Sequence, residues 1–306
     1  MALAPTALAL RALGVGDLLT AVPALRGLRR SWDGEVVLCA PAALAPLALL
    51  SGAVDRVVDT APLATVPLRG AALAVNLHGS GPQSTALLAD SGPARLVAYG
   101  VTSSWRDDEH ERVRWARLVG EVGLPADPDD LDLPLPDVAP LVRGAVVVHP
   151  GAAFGCRRWP AERWAAVARS LAADGAQVVV TGSAAEEPLA RRVADAAGLP
   201  PGAVLAGRTG LLDLAALVGA ARLVLSGDTG TAHLATALRA PSVVLFGPAS
   251  PRRWCPPVDR PWHRVLWSGR TGPLFGEQSD PGLLEIGEQD VLEAARQAIP
   301  ALAVAR

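Results

Sequence analysis

The chain alternates two kinds of segment along most of its length. Short runs rich in Val and Leu end in Gly, Asp, His or Pro, and each is followed by an Ala, Leu and Arg stretch of helical period. Continuous short apolar runs suit strands buried on both faces, and an intervening helix is the connection that parallel strands need. The pattern predicts an α/β chain built from β-α repeats. Two sets are legible. The first reads "TALALRALG" from residue 6, "EVVLCA" at 35–40, "VDRVVDT" at 54–60, "AALAVNLHG" at 71–79 and "ARLVAYG" at 94–100. The second reads "GAVVVHPG" at 144–151, "AQVVVTGS" at 176–183, "AVLAG" at 203–207, "ARLVLSGD" at 221–228 and "SVVLFGP" at 242–248. Between them lies "LPADPDDLDLPLPDVAPLVRG", rich in Pro and Asp and without sustained period, as a linker is.

Two doubly wound domains, 1–141 and 142–306, are therefore expected. In such sheets ligands bind beyond the carboxyl ends of the strands, so a central cleft between the domains is the expected active site. The tail from Gly276 predicts a loop and then an amphipathic helix from about Glu288, a candidate to cross back to the first domain.

Composition narrows the function. Of 306 residues 50% are hydrophobic and 19% charged, which suits a globular enzyme, and a net charge of −2 gives no electrostatic case for nucleic acid or an anionic membrane. All 28 cationic residues are Arg, in an Ala- and Arg-rich chain, so no single Arg carries weight by itself. Cys39, Cys156 and Cys255 are far apart and lack metal spacing; they predict a reducing compartment, with neither disulfide framework nor metal site. Residues 1–10 carry no basic region, and Arg11 and Asp17 interrupt the apolar stretch beyond them, so neither signal peptide nor membrane span is predicted.

Five loops could carry chemistry. In "SGDTGTAHLATAL", Gly227 and Gly230 let backbone approach a ligand, Asp228 or Thr229 can cap the helix, and unpaired amides at 228–230 would favour a phosphate. An ordinary capped turn explains the same residues, and His233 alone is as easily a core or surface residue. In "HPGAAFGCRRWPAERWAAVARSL", Arg157 and Arg158 precede a helix starting near Pro160 that would bury Trp164, Val167 and Leu171. A guanidinium there could hold a diphosphate, or the pair could be solvated surface. "RALGVGDLLTAVPALRGLRR" puts Asp17 at a helix start, as N-cap or as catalytic base. "GVGD" lacks the third glycine of the dinucleotide fingerprint, and no acid ends the second strand, which disfavours a dehydrogenase. "VNLHGSGPQS" offers Asn76, His78, Gln83 and Ser84 for hydrogen bonds to hydroxyls. "VTGSAAEEP" offers Glu186, for ribose hydroxyls or as a helix-start acid.

Taken together and in order, "LGVGDLLTAVPALRGLR", "HPGAAFGCRRWPAERWAAVA", "VVVTGSAAEE" and "SGDTGTAHLATAL...SVVLFGP" resemble the motifs of glycosyltransferase family 9, the heptosyltransferases that use ADP-heptose. The resemblance implies a GT-B fold, two Rossmann-like domains, with nucleotide sugar on the C-terminal domain and acceptor on the N-terminal one. It implies an inverting, metal-independent transfer without cofactor. Asp17 matches the aspartate that serves as general base. Asp228, Thr229 and Gly230 match the D-T-G that contacts the sugar diphosphate, His233 the histidine one turn on, and Glu186 the acid near the ribose. Arg157 stands where the family has Lys, keeping the charge and changing its geometry. Asn76, His78 and Gln83 remain as acceptor contacts. "DEHERVRWARLV" resembles the family's H-x-x-x-R helix, with His110 and Arg114 in the matching positions. The implied partners are a nucleotide-sugar donor and a glycan, glycolipid or small-molecule acceptor, in the cytoplasm, with any membrane contact peripheral. Competing expectations are a nucleotide-sugar or glycan-binding protein without turnover and a GT-B nucleotide-sugar epimerase.

Overall fold

The computed structural model describes residues 5–305, with the main chain alone at 300–305. Residues 1–4, on which part of the leader expectation falls, lie outside the described residues. The chain divides into two compact units, Met1–Pro134 and Leu135–Arg306. The division falls earlier than the expected 141/142, because Leu135 reaches Gly219 and the Gly144 N–H donates to Ala220 O at 2.8 Å, both within the second unit.

The first unit is a parallel sheet of five strands: β1 (Thr6–Leu10), β2 (Glu35–Ala40), β3 (Arg56–Asp59), β4 (Leu73–Asn76) and β5 (Leu96–Val97), in the order β3-β2-β1-β4-β5. Its helices are α1 (Val15–Arg30), α2 (Ala45–Leu50), α3 (Gln83–Ala89) and α4 (Glu111–Gly120). Helix α1 buries Leu18, Val22, Leu25 and Leu28 on one stripe, as the period of its sequence predicts. Under the sheet Leu8, Leu10, Val37, Ala74 and Leu88 close a core that includes Cys39.

The second unit repeats the plan with β6 (Val146–His149), β7 (Val178–Val180), β8 (Leu223–Gly227), β9 (Ser242–Leu245) and β10 (His263–Leu266), ordered β10-β9-β8-β6-β7. Its helices are α5 (Ala161–Ala173), α6 (Glu187–Ala197), α7 (Leu211–Gly219), α8 (Gly230–Ala237), α9 (Pro281–Leu284) and α10 (Glu288–Ala305). Trp164, Val167 and Leu171 of α5 are buried, and Trp164 meets Trp159 edge to face at 4.9 Å between ring centres.

Three expectations are corrected. Residues 203–207 form no strand: Val204 makes an isolated bridge to Val180, and the chain turns away at Gly207 with φ of +71°. The strand at that end of the count is β10 instead, whose sequence "HRVL" is too polar to announce itself because only its edge position, with one partner strand, tolerates it. Helix α10 starts at Glu288 as expected, but Val291, Leu292, Ala295 and Ala298 enter the second unit's own core beside Val243 and Leu245.

Each sheet has one switch point. From β1 the chain runs to β2 and β3 on one side, then returns to lay β4 on the other. From β6 it runs to β7, then places β8 on the opposite side. Connections leave the paired strands in opposite directions there, opening a crevice at their carboxyl ends.

At the other end of the second sheet, His263 is 8% exposed with its Nδ1 at 2.8 Å from Ser242 Oγ. Burial first, then Arg260 and Arg239, push its pKa from the ordinary 6.5 down to about 3. The native imidazole is thus neutral where the unfolded one is charged, so its contribution is intact above 6.5 and is lost progressively as pH falls toward 3. Between pH 7 and pH 5 the wild-type chain should lose about 2 kcal/mol more stability than the His263→Asn variant, measured by urea unfolding. Equal losses would show that His263 does not carry this pH dependence.

Candidate functional site

In the second unit β6 and β8 end level, His149 opposite Ser226. After β8 the chain gives Asp228 and Thr229 and enters α8 at Gly230. Thr229 holds the N-cap position in extended conformation, yet its side chain makes no cap bond, and its buried Oγ1 has no partner. A buried hydroxyl without a protein partner thus coincides with a helix N-terminus that its N-cap side chain does not bond. The Asp228 amide is not among the bare donors, because it donates to Leu245 O at 3.1 Å. In the first turn of α8 the Ala232 N–H turns back to Thr229 O at 3.1 Å. His233, one turn along, packs its ring edge-on to Trp254 at 5.7 Å between centres.

Across this turn lies the 3₁₀ segment Gly155–Arg157. It approaches so closely that a Cβ on Gly227 would stand 3.1 Å from Arg157 O, and one on Gly247 3.2 Å from Cys156 O. Both positions need glycine for that reason. The two arginines then separate. Arg158 turns inward, donating to Ala152 O from Nε at 2.9 Å and Nη2 at 2.7 Å. Arg157 keeps a buried Nε without a partner, its guanidinium 5.9 Å from the Phe154 ring centre.

Glu186 stands at the end of the neighbouring connection. Its Oε2 accepts the Ser183 N–H at 2.8 Å and O–H at 2.9 Å, so it is a helix-start acid, and its Oε1 faces Gly151. Burial opposes its ionisation, but the two Ser183 bonds, with His149 and Arg158 nearby, hold the carboxyl below its usual range. Burial pushes His149 down against the pull of Glu186, leaving a neutral imidazole 3.0 Å from Thr181 Oγ1.

In the first unit the corresponding pair is β1 and β4, with Leu10 opposite Asn76. Asp17 falls at the third position of α1 rather than at the cap: Gly14 is the N-cap, and its N–H donates to Asp17 Oδ2 at 3.2 Å. The other oxygen meets Arg11 Nη2 at 3.1 Å, and the side chain remains 30% exposed. His78 follows β4 with a buried, unpartnered Nδ1; burial, then the Arg11 charge, lower its pKa against the opposing effect of Asp17. Asn76 is corrected as an acceptor contact. It is fully buried, its Nδ2 donating to Ser84 Oγ and Thr85 Oγ1 at 3.0 Å each while Oδ1 accepts the His78 N–H at 3.0 Å. Its carboxamide shapes the loop and has no reach left for a substrate. Gln83 is exposed at the start of α3.

Residues 126–277 match glycosyltransferase family 9 (heptosyltransferase). The chain carries a glycosyltransferase family 9 domain. Solved structures add the fold over nearly the whole length. The E. coli ADP-heptose LPS heptosyltransferase II aligns with a TM-score of 0.76 at 20% identity, over 98% of this chain and 99% of that one. The glycosyl transferase family 9 protein of Veillonella parvula aligns at 0.77 and 18%, over 99% of each. The E. coli heptosyltransferase WaaC, solved with ADP, aligns at 0.72 and 19%, over 96% and 99%. No curated protein matches. The protein is a heptosyltransferase-like glycosyltransferase with the GT-B fold.

The family match covers chiefly the second unit of this glycosyltransferase, so the first unit's site stands on its own geometry. Sequence reading misses Arg11, which contacts Asp17 directly, and His149, Ser183 and Gly151 around Glu186. The signal for Arg11 is a charge closing the apolar run "TALALR"; in a chain whose every cation is Arg that signal has little weight. Among the described residues no group of three His, Cys, Asp or Glu side chains is gathered to hold a metal, and no helix is long and apolar enough to cross a membrane.

A methyl added at Gly151 would land on Glu186 Oε1, so that side chain would have to swing off Ser183. Gly151→Ala should fold normally, and its crystal structure should show the Glu186 carboxylate off the Ser183 N–H and O–H. A carboxylate still on Ser183 would show that Gly151 does not set its position.

Proposed function

We propose that this glycosyltransferase moves heptose from ADP-heptose to a hydroxyl of a glycan, glycolipid or small molecule, with inversion and without a metal. The observation that carries the reading is the orphaned Thr229 hydroxyl at the N-terminus of α8, which its side chain does not cap, with the unpartnered Arg157 Nε in the turn laid across Gly227. A diphosphate would accept from all three. The helix terminus favours an anion by roughly 0.3–1 kcal/mol per charge when exposed and up to about 2 when partly buried. His233 and Asp228 border the same turn, and Glu186 would take the ribose hydroxyls through Oε1. ADP and ADP-heptose are named for the E. coli neighbours, and the family match brings them to this chain as the first donors to test.

On the acceptor side Asp17 is the base. It is a partly exposed carboxylate at a switch point, each oxygen held by one protein donor and open to another. The acceptor oxygen attacks the anomeric carbon from the face opposite the diphosphate; its proton passes to Asp17, the anomeric C–O bond breaks, and ADP leaves with the bonding pair. The added charge on the phosphate falls on the Arg157 guanidinium and the α8 amides, which are preorganised for it. His78 and Gln83 are the side chains left to meet acceptor hydroxyls. A cytoplasmic location suits the thiols of Cys39 and Cys156, which stand outside any disulfide.

Asp17→Ala should lower sugar transfer by about 10²–10⁴-fold, the usual range for a general base, while ADP affinity stays within threefold. Wild-type turnover in that variant would remove Asp17 from the role. Arg157→Ala should weaken ADP by about 10- to 100-fold in calorimetry, and retained affinity would place the diphosphate elsewhere.

A further inference from the structure

Arg11 closes β1 and is only 1% exposed. Burying a guanidinium costs several kcal/mol unless its donors are matched. Its hydrogen bonds run to the two switch-point loops: Nη2 to Asp17 Oδ1 at 3.1 Å, Nε to Asp17 main-chain O at 2.9 Å, and Nη1 to Leu77 O at 2.5 Å. Its rear rests on α4. The Trp115 ring centre lies 4.7 Å from Cζ, and Glu111 Oε2 approaches Nη2 at 3.8 Å. Glu111 is in turn held by the Trp115 indole N–H at 3.0 Å and by Arg114 Nε at 3.1 Å. The helix that the family resemblance marks through His110 and Arg114, and that the proposed chemistry leaves without a task, thus braces Arg11 from behind.

We propose that Arg11, braced by α4, is the positioning residue for Asp17: it fixes the carboxylate in the rotamer whose remaining lone pairs meet the acceptor hydroxyl. The inference rests on Asp17 being the base. A planar fork serves three oxygens at once; a lysine at this position keeps the charge but cannot reach all three.

The test is kinetic and crystallographic, on Arg11→Lys, Arg11→Met, Asp17→Asn and the double variant Arg11→Met/Asp17→Asn. Release of ADP from ADP-heptose is followed with water or added acceptor sugar. Arg11→Lys should lower kcat about tenfold and Arg11→Met about 100-fold, with the donor KM within threefold, and the double variant should be no slower than Asp17→Asn. In the Arg11→Lys crystal structure the Asp17 carboxylate should have left the Gly14 N–H. An unmoved carboxylate, an unchanged kcat, or a double variant slower than Asp17→Asn each overturns the proposal. Full turnover in Asp17→Asn would sink the base assignment instead. If wild type releases no ADP the donor reading fails, and the position of Asp17 in the Arg11→Lys crystal then decides on Arg11. If Arg11→Met does not fold, Arg11→Lys decides alone.

Discussion

Two parallel strands whose connections depart in opposite directions cannot cover the backbone at their own carboxyl ends, and the chemistry proposed for this chain grows out of that deficit. At the β6–β8 switch the amides in the first turn of α8 have no cap from Thr229, and at the β1–β4 switch the loops are left to side chains. The buried strands supply rigidity, because near-continuous Val and Leu runs covered on both faces leave little freedom at the ends they present.

The two ends answer the deficit in opposite ways. In the second unit glycines let main chain crowd together, Gly227 against Arg157 O and Gly247 against Cys156 O, so the site is made of backbone and a few side-chain tips. In the first unit a buried cation takes that part: one guanidinium joins the loop after β1 to the loop after β4 and holds a carboxylate at the rim. In the proposed transfer, backbone amides suit a diphosphate that must be gripped through charge build-up, whereas a carboxylate that takes a proton needs an orientation more than a grip.

Several candidate residues stand out because of their sequence context. Thr229 and Gly230 follow an apolar strand and open a helix of small residues; Asp17 sits between a glycine pair and an apolar stripe. Others are misread because local sequence cannot say where a polar side chain points. Asn76 belongs to a polar strand-end loop that looks like a binding surface, yet Ser84 and Thr85 consume its amide. Arg157 and Arg158 are neighbours of identical chemistry, and only the Ala152 carbonyl distinguishes them by turning Arg158 inward. Arg11 is one more arginine in the sequence and a buried strut in the fold.

The amino-acid order alone determined the class of fold, the repeat of strand and helix in two sets and the helix starts near Glu288 and Pro160, because burial on both faces and helical period are local patterns that each segment carries in itself. It also marked the loops at the strand ends that are the candidates for chemistry. Tertiary structure decided the strand order, the edge strand β10, the docking of α10 and the fate of each polar group. Those depend on contacts between residues far apart in the chain, such as Arg11 with Leu77 or Gly144 with Ala220, and a hydrogen-bond partner tens of residues away leaves no trace in the sequence around either one.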